Sequence, residues 1–375
     1  MSRARATAGV LACGLIAACG AGVATGGAAS NAEACGACHV VEHAAWAASG
    51  QASSTSSPVF VALSARAGLA WGSAAQARCV ACHQPGFAGD HGIGCVACHA
   101  AMGNLETRDG LLVVDTDAPL SGSFANPSPD APHATRVYGF LVAPELCATC
   151  HQVTGPGLLH ETTFDEYLSS SAGKQGAGCV SCHMPALAPG PVAPLGEAAR
   201  PRADHAFIGF DPLWGASETD AAAATERTRQ LLASGLTLSV SRSSAGIVVS
   251  LTNLAGHAVP TGAAALRRIW VDVAFAGADG QQIERTAVID LRAQPTRAGA
   301  PVALITDADA VDVRTLQPGA TRSISVDTPA QLTAPIQATA RLRATAIRPE
   351  ILSALGLDAL SAQVPQHEIA TASTQ

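Results

Sequence analysis

The sequence predicts a multidomain molecule, mainly helical and irregular in its first half and an all-β immunoglobulin-like sandwich in its second. Three observations predict this. Five Cys-x-x-Cys-His motifs fall between residues 35 and 183. From Leu236 onward apolar residues alternate with period two. No cysteine follows Cys182. At 375 residues the chain is also long enough for two domains rather than one.

At the N-terminus, Met1-Ser-Arg-Ala-Arg5 is basic and Ala6 to Ala18 is a run of apolar and small residues. Residues 1–18 therefore read as a secretory signal, too short and too rich in small side chains to span a bilayer. The segment Ile16-Ala17-Ala18-Cys19-Gly20 resembles a bacterial lipobox, with Cys19 as the lipidated first residue of the mature chain. An ordinary cut near Ala29 is the alternative, and either removes Cys13. An acyl chain on Cys19 would tether the protein to a membrane without crossing it. The expectation is an exported protein, periplasmic or at the cell surface, anchored to a bacterial membrane. Residues 19–33, rich in Gly, Ala and Ser, read as a flexible tether.

The motifs occupy the next segment, 34–215. They are Cys35 to His39 with Cys38, Cys79 to His83 with Cys82, Cys95 to His99 with Cys98, Cys147 to His151 with Cys150, and Cys179 to His183 with Cys182. Zinc sites also mix Cys with His, but they do not require a His directly after every second Cys. A redox dithiol expects one copy on a thioredoxin-like unit, not five. Haem attachment of the c type requires two thiols for the porphyrin vinyls and an adjacent imidazole for iron. The expectation is five covalent haems, with His39, His83, His99, His151 and His183 as proximal ligands. Cys79 and Cys95 are close enough to place two haems on nearly one loop.

Composition agrees. Aromatics make up 4% of the chain and the net charge is −7. Large core residues are scarce, so porphyrins would supply apolar volume in the first half, and the apoprotein there should be marginal. The acidic balance, with no basic stripe, excludes nucleic acid as a partner. Residues 216–235 read as a helical linker. In the segment 236–350, Leu236, Leu238 and Val240 share one face of a strand, and Ile247, Val249 and Leu251 share one face of the next. Ile269 to Phe275 and Ile336 to Ala346 alternate likewise. Some seven short strands between turns predict the sandwich. Residues 351–375 read as a C-terminal tail, with His367 a solvent-exposed bystander.

Seven histidines lie outside the motifs. His43, His91, His133, His160 and His205 fall within 34–215 and match five irons one for one; His257 lies in the β segment. Met184 and Met102 stand too close to the motif histidines to serve the same irons. The pool therefore favours bis-His iron, which lacks the potential-raising Met ligand.

The first motif is followed by Trp46 and Ser49, and His151 is followed by Phe164-Asp-Glu-Tyr167 and Ser170. Together with His91-Gly-Ile-Gly-Cys95, Cys182-His-Met-Pro185 and Asp204-His205-Ala-Phe207, these stretches resemble the multihaem cytochromes related to tetrahaem cytochrome c-554 and hydroxylamine oxidoreductase. The resemblance covers about Ala34 to Gly209. It implies distal roles for His91, His133 and His205. It breaks at Gln51, where the family pattern has a distal His, while His43 stands where an aromatic is usual. Either His43 substitutes, or one iron keeps a weak or open sixth position. The loop Gly256-His257-Ala-Val-Pro260-Thr-Gly262 resembles loops of multihaem cytochromes that carry such a β domain, which implies that His257 reaches a haem; a turn in which His257 bonds to a carbonyl is the alternative.

The expected function is electron relay between redox partner proteins, with no catalytic residue of its own. The alternative is a reductase or oxidase of nitrite, hydroxylamine or nitric oxide at one open haem.

Overall fold

A computed structural model describes residues 32–85, 92–124, 131–193 and 200–374. Cys13, Cys19 and His91, with the signal and anchor expectations, lie outside the described residues.

In the first half, the motifs lie in or beside short helices. Helix α1 (Ala32–Gly36) runs into the first motif and α2 (Val40–Ala47) leaves it. Helix α3 (Pro58–Trp71) starts where the Ser57 hydroxyl accepts the Phe60 N–H and Pro58 takes the first turn. Gly72, at φ 89°, ends it and lets α4 (Ser73–His83) begin at once. The second motif occupies the end of α4, the third is α5 (Cys95–His99), and α6 (Pro144–Ala148) opens the fourth. Helices α7 (Thr163–Ser169) and α8 (Ser171–Lys174) precede α9 (Val180–His183), which carries the fifth. The Cys-x-x-Cys-His spacing needs a helical turn, because residues i, i+3 and i+4 then share a face. The backbone shows this turn directly: the N–H groups of His39, His151 and His183 donate to the carbonyls of Cys35, Cys147 and Cys179 at 2.8, 3.0 and 3.0 Å.

Three two-stranded ribbons link these helices. β1 (Ala101–Asn104) pairs antiparallel with β2 (Leu112–Val114), β3 (Leu120–Gly122) runs parallel to β4 (Thr135–Val137), and β5 (Ala186–Gly190) pairs antiparallel with β6 (Arg200–Ala203). Their three to five residues give no periodic signal in the sequence.

Helix α10 spans Glu218–Gly235, inside the predicted linker; the Ser217 hydroxyl caps it by accepting the Asp220 N–H at 3.2 Å. It leads into β7 (Leu236–Arg242), which pairs antiparallel with β8 (Gly246–Asn253), with a turn closed by Ser243 N–H to the Gly246 carbonyl at 2.9 Å. Then come β9 (Arg268–Ala276), β10 (Gln282–Arg297), β11 (Ala300–Pro301), β12 (Ala310–Arg314), β13 (Thr321–Asp327) and β14 (Gln337–Thr345). Helix α11 (Pro349–Ala354) and β15 (Gln366–Ser373) complete the chain. One sheet runs β13-β8-β7; the other runs β11-β10-β9-β14-β15, with β12 also on β10. Leu236, Val249 and Leu251 of the first and Val271, Phe275 and Leu342 of the second share one core.

Two expectations fail here. The segment 351–375 is not a tail, because α11 buries Ile351 and Leu352 and β15 pairs along β14. His367 is not a surface residue: it sits opposite Ala344, is 4% exposed and packs on the Phe210 ring at 5.6 Å. Alternating Gln366, Glu368 and Thr371 mask the strand in the sequence, but their partners on β14 are themselves polar on that face.

Candidate functional site

All five motifs line one continuous cleft, with His133, His205 and His257 on its opposite walls. The helical turns present the motif imidazoles to it. In every case the ring's Nδ1 meets an acceptor: His39 meets the Val192 carbonyl at 2.8 Å, His83 that of Ser54 at 3.1 Å, His99 that of Ser121 at 2.7 Å and His183 that of Ile208 at 2.6 Å. His151 meets the Glu161 carboxylate at 3.2 Å. Since these partners only accept, each Nδ1 carries the proton and Nε2 is left as the lone-pair donor. This is the orienting arrangement of metal-ligating histidines.

Burial pushes the imidazoles of His83, His99 and His183 below the usual value, toward the neutral form that ligation requires. Burial acts on His151 in the same direction, but the Glu161 carboxylate outweighs it and the net shift is upward. The His151 ring lines the cleft, and 54% of its side chain is accessible.

Three motif rings face a second imidazole. His39 and His133 have centroids 6.3 Å apart, His99 and His205 6.3 Å, and His183 and His257 6.2 Å. An iron between two imidazole nitrogens at about 2 Å each, with each nitrogen roughly 1.15 Å from its ring centre, requires centres about 6.3 Å apart. The partner rings carry the same Nδ1 arrangement: His205 meets the Ala203 carbonyl and His257 that of Ala258, both at 2.9 Å, and His133 meets that of Ala134 at 3.4 Å. The β half thus contributes His257 to a cleft otherwise formed by the first half. Its loop is seated by Glu166 on α7, whose Oε2 accepts the Ala258 N–H at 3.1 Å and the Thr261 hydroxyl at 2.9 Å.

Among the described residues, the ring contact of His83 is Phe60, stacked at 4.1 Å, and no imidazole faces His83 or His151 as the three pairs do. His160 is exposed and outside the cleft lining. His43 lines the cleft with its ring on Trp46 at 5.4 Å; its buried Nε2 has no hydrogen-bond partner and lies 3.6 Å from Glu33. The Gln51 side-chain carbonyl is also buried without a partner.

The thiols cluster across motifs: Cys82 lies close to Cys150, and Cys147 to Cys179. Cys98 is pushed up to about 11 by burial and lies near both Cys147 and Cys150. Nine of the ten motif cysteines are outside any disulfide; Cys38 is disulfide-bonded, and a thioether there requires that sulfur to be released. With that exception the donor set fits c-type haem: paired thiols on a turn, an oriented Nε2, and opposed imidazoles at iron-spanning distance. Glu161, Glu166 and the four carbonyl acceptors escape sequence reasoning, because their roles arise only from contacts.

No family model and no curated protein matches the chain. Among solved structures, a penta-haem cytochrome c552 from Thermochromatium tepidum matches with a TM-score of 0.67 and 18% identity, over 92% of this chain and 98% of that one. Across nearly all of its length, this chain therefore shares its fold with a penta-haem cytochrome.

Proposed function

We propose that the chain is an exported multihaem c-type cytochrome that relays electrons through five haems, related to the cytochrome c-554 and hydroxylamine oxidoreductase group. The single observation that carries this is the set of three opposed imidazole pairs at 6.2–6.3 Å, each ring with Nδ1 engaged and Nε2 free. Haem supplies one-electron carriage without a substrate. The protein's part is to hold it: the ten motif cysteines as thioether donors, the five motif histidines as proximal ligands, and His133, His205 and His257 as distal ones. His39 pairs with His133, His99 with His205, and His183 with His257. A thioether joins its sulfur to the porphyrin rim, so motifs whose sulfurs lie close bring rims together. The nearness of Cys82 to Cys150 and of Cys147 to Cys179 supports a chain of close centres with the fourth motif at its crossing.

The immunoglobulin-like reading of the β half is supported by strand order, with three core strands in β13-β8-β7 facing four in β10-β9-β14-β15. That unit acts as a ligand donor and clamp through the 256–262 loop. Among the described residues no helix is long and apolar enough to cross a membrane; a lipid on Cys19 remains the proposed tether, with redox proteins as partners.

A second reading rests on a specific observation. His83 and His151 face no imidazole among the described residues, and the buried Gln51 carbonyl has no partner. An iron left open there would bind nitrite, hydroxylamine or nitric oxide.

The test is haem counting by intact mass together with low-temperature EPR on the loaded protein. Electron relay expects five haems, at least three low-spin bis-His signals, and conversion of one of them to high spin in His257→Ala. Fewer than three low-spin irons refutes the pairing. A high-spin iron in the unmodified protein that binds nitric oxide moves the second reading ahead.

A further inference from the structure

Four of the five motif imidazoles donate Nδ1–H to backbone carbonyls; His151 alone donates to a carboxylate. Its acceptor is no surface group. Glu161 has a side chain 13% exposed, and the same Oε1 also accepts the Thr163 hydroxyl at 3.1 Å. A Cβ on Gly262 would stand 3.1 Å from that oxygen, so the β-half loop closes over it. Val153 and Glu161 exchange both backbone hydrogen bonds at 2.9 Å, which fixes the carboxylate's origin relative to the fourth motif. The arrangement is thus held by backbone, hydroxyl and loop together.

We infer that Glu161 is a positioning and tuning residue that makes His151 the strongest electron donor of the five proximal imidazoles, so that the fourth haem has a lower reduction potential than it would with a carbonyl partner. A negative acceptor on Nδ1–H shifts electron density onto Nε2, and a more basic Nε2 stabilises ferric over ferrous iron. A neutral carbonyl does this less. The placement gives the effect consequence, because the thiols of this motif lie close to those of the second and fifth. A centre of lowered potential at that crossing fills later on reduction than it would with a carbonyl partner.

The inference rests on the reading of Cys147 to His151 as a haem-attachment motif, and peptide mass analysis of the unmodified chain tests that separately: no haem on Cys147 and Cys150 sinks the reading. With haem present, Glu161→Gln keeps the shape and a hydrogen-bond acceptor but removes the charge. Spectroelectrochemical titration of the full loaded protein should show one of five reduction steps moved upward and four unchanged. Thr163→Val provides a second arm, read on the His151 step, with Thr261→Val as its control for the loss of the Thr163–Thr261 contact. It takes a competing donor from the carboxylate, strengthens the bond to His151, and should move the same step downward. Opposite shifts of one step are not produced by loosening of the structure. Unchanged potentials in Thr163→Val, or equal displacement of several steps in either variant, overturn the inference.

Discussion

Asp109 shows how one carboxylate holds two motifs in place. Its oxygens accept the Thr154 N–H at 2.9 Å, the Thr154 hydroxyl at 2.7 Å and the Arg78 guanidinium at 2.8 Å. Its backbone, at φ 58°, is followed by Gly110 at φ 72°, where a Cβ would lie 2.8 Å from the Ala81 backbone and 2.9 Å from the Cys82 sulfur. The turn therefore presses the fourth motif's neighbourhood onto the second. Burial acts to raise the Asp109 carboxyl, but the Thr154 hydrogen bonds and the Arg78 and Arg108 charges outweigh it and hold it below the ordinary value. A depressed folded pKa contributes stability that is present above the unfolded value and lost as pH falls through the folded one. Asp109→Asn should accordingly cost about 1–3 kcal/mol at neutral pH. The gap to the unmodified protein should narrow as pH drops below about 4. Guanidinium unfolding of the loaded protein across that range decides it, and a gap independent of pH would refute the charge argument.

At the scale of elements, the contact between α7 and the 256–262 loop matters most, because it carries His257 into the cleft. Glu166 accepts two donors from that loop, and Thr163 meets Thr261 at 2.7 Å. Truncating Glu166 leaves a part-buried N–H and hydroxyl without their acceptor. Glu166→Ala should lower unfolding stability by about 1–3 kcal/mol and speed amide exchange through residues 256–262. Glu226→Ala is the control: that carboxylate pairs with Arg229 on the exposed face of α10, where water screens the pair, and its loss should leave stability essentially unchanged. Equal effects of the two substitutions would mean that the loop is held by something other than Glu166.

Over the whole molecule the two halves are stabilised differently. The β half buries Phe275, Leu251, Ile269, Leu291 and Leu342 almost completely, each worth roughly 1.5–3 kcal/mol. The buried apolar residues of the first half are mostly alanines (Ala67, Ala75, Ala97, Ala100 and Ala148), with Val59, Val96 and Tyr167 among the few larger ones. Such a core does not offset chain entropy by itself. Protein made without haem attachment should therefore keep exchange protection in β7–β10 and β13–β15 while residues 32–215 exchange rapidly. Protection of both halves to the same degree would show that the first half folds without its cofactor.

The sequence by itself determined what is local. A Cys-x-x-Cys-His motif is complete within one helical turn, so its chemistry is legible wherever it occurs. Period-two alternation marked β8, β9 and β14 because one face of each is buried throughout. The alanine-rich run that begins at Ala221 marked α10. Tertiary structure alone decided what depends on distant contacts. It chose His133, His205 and His257 as the rings that face His39, His99 and His183, and it left His160 at the surface. It buried His367 in a strand whose polar neighbours hid it, and it set Glu161 against His151. A lone histidine or glutamate has no periodicity and no motif; its role is fixed by which group the folded backbone places within about 3 Å of it.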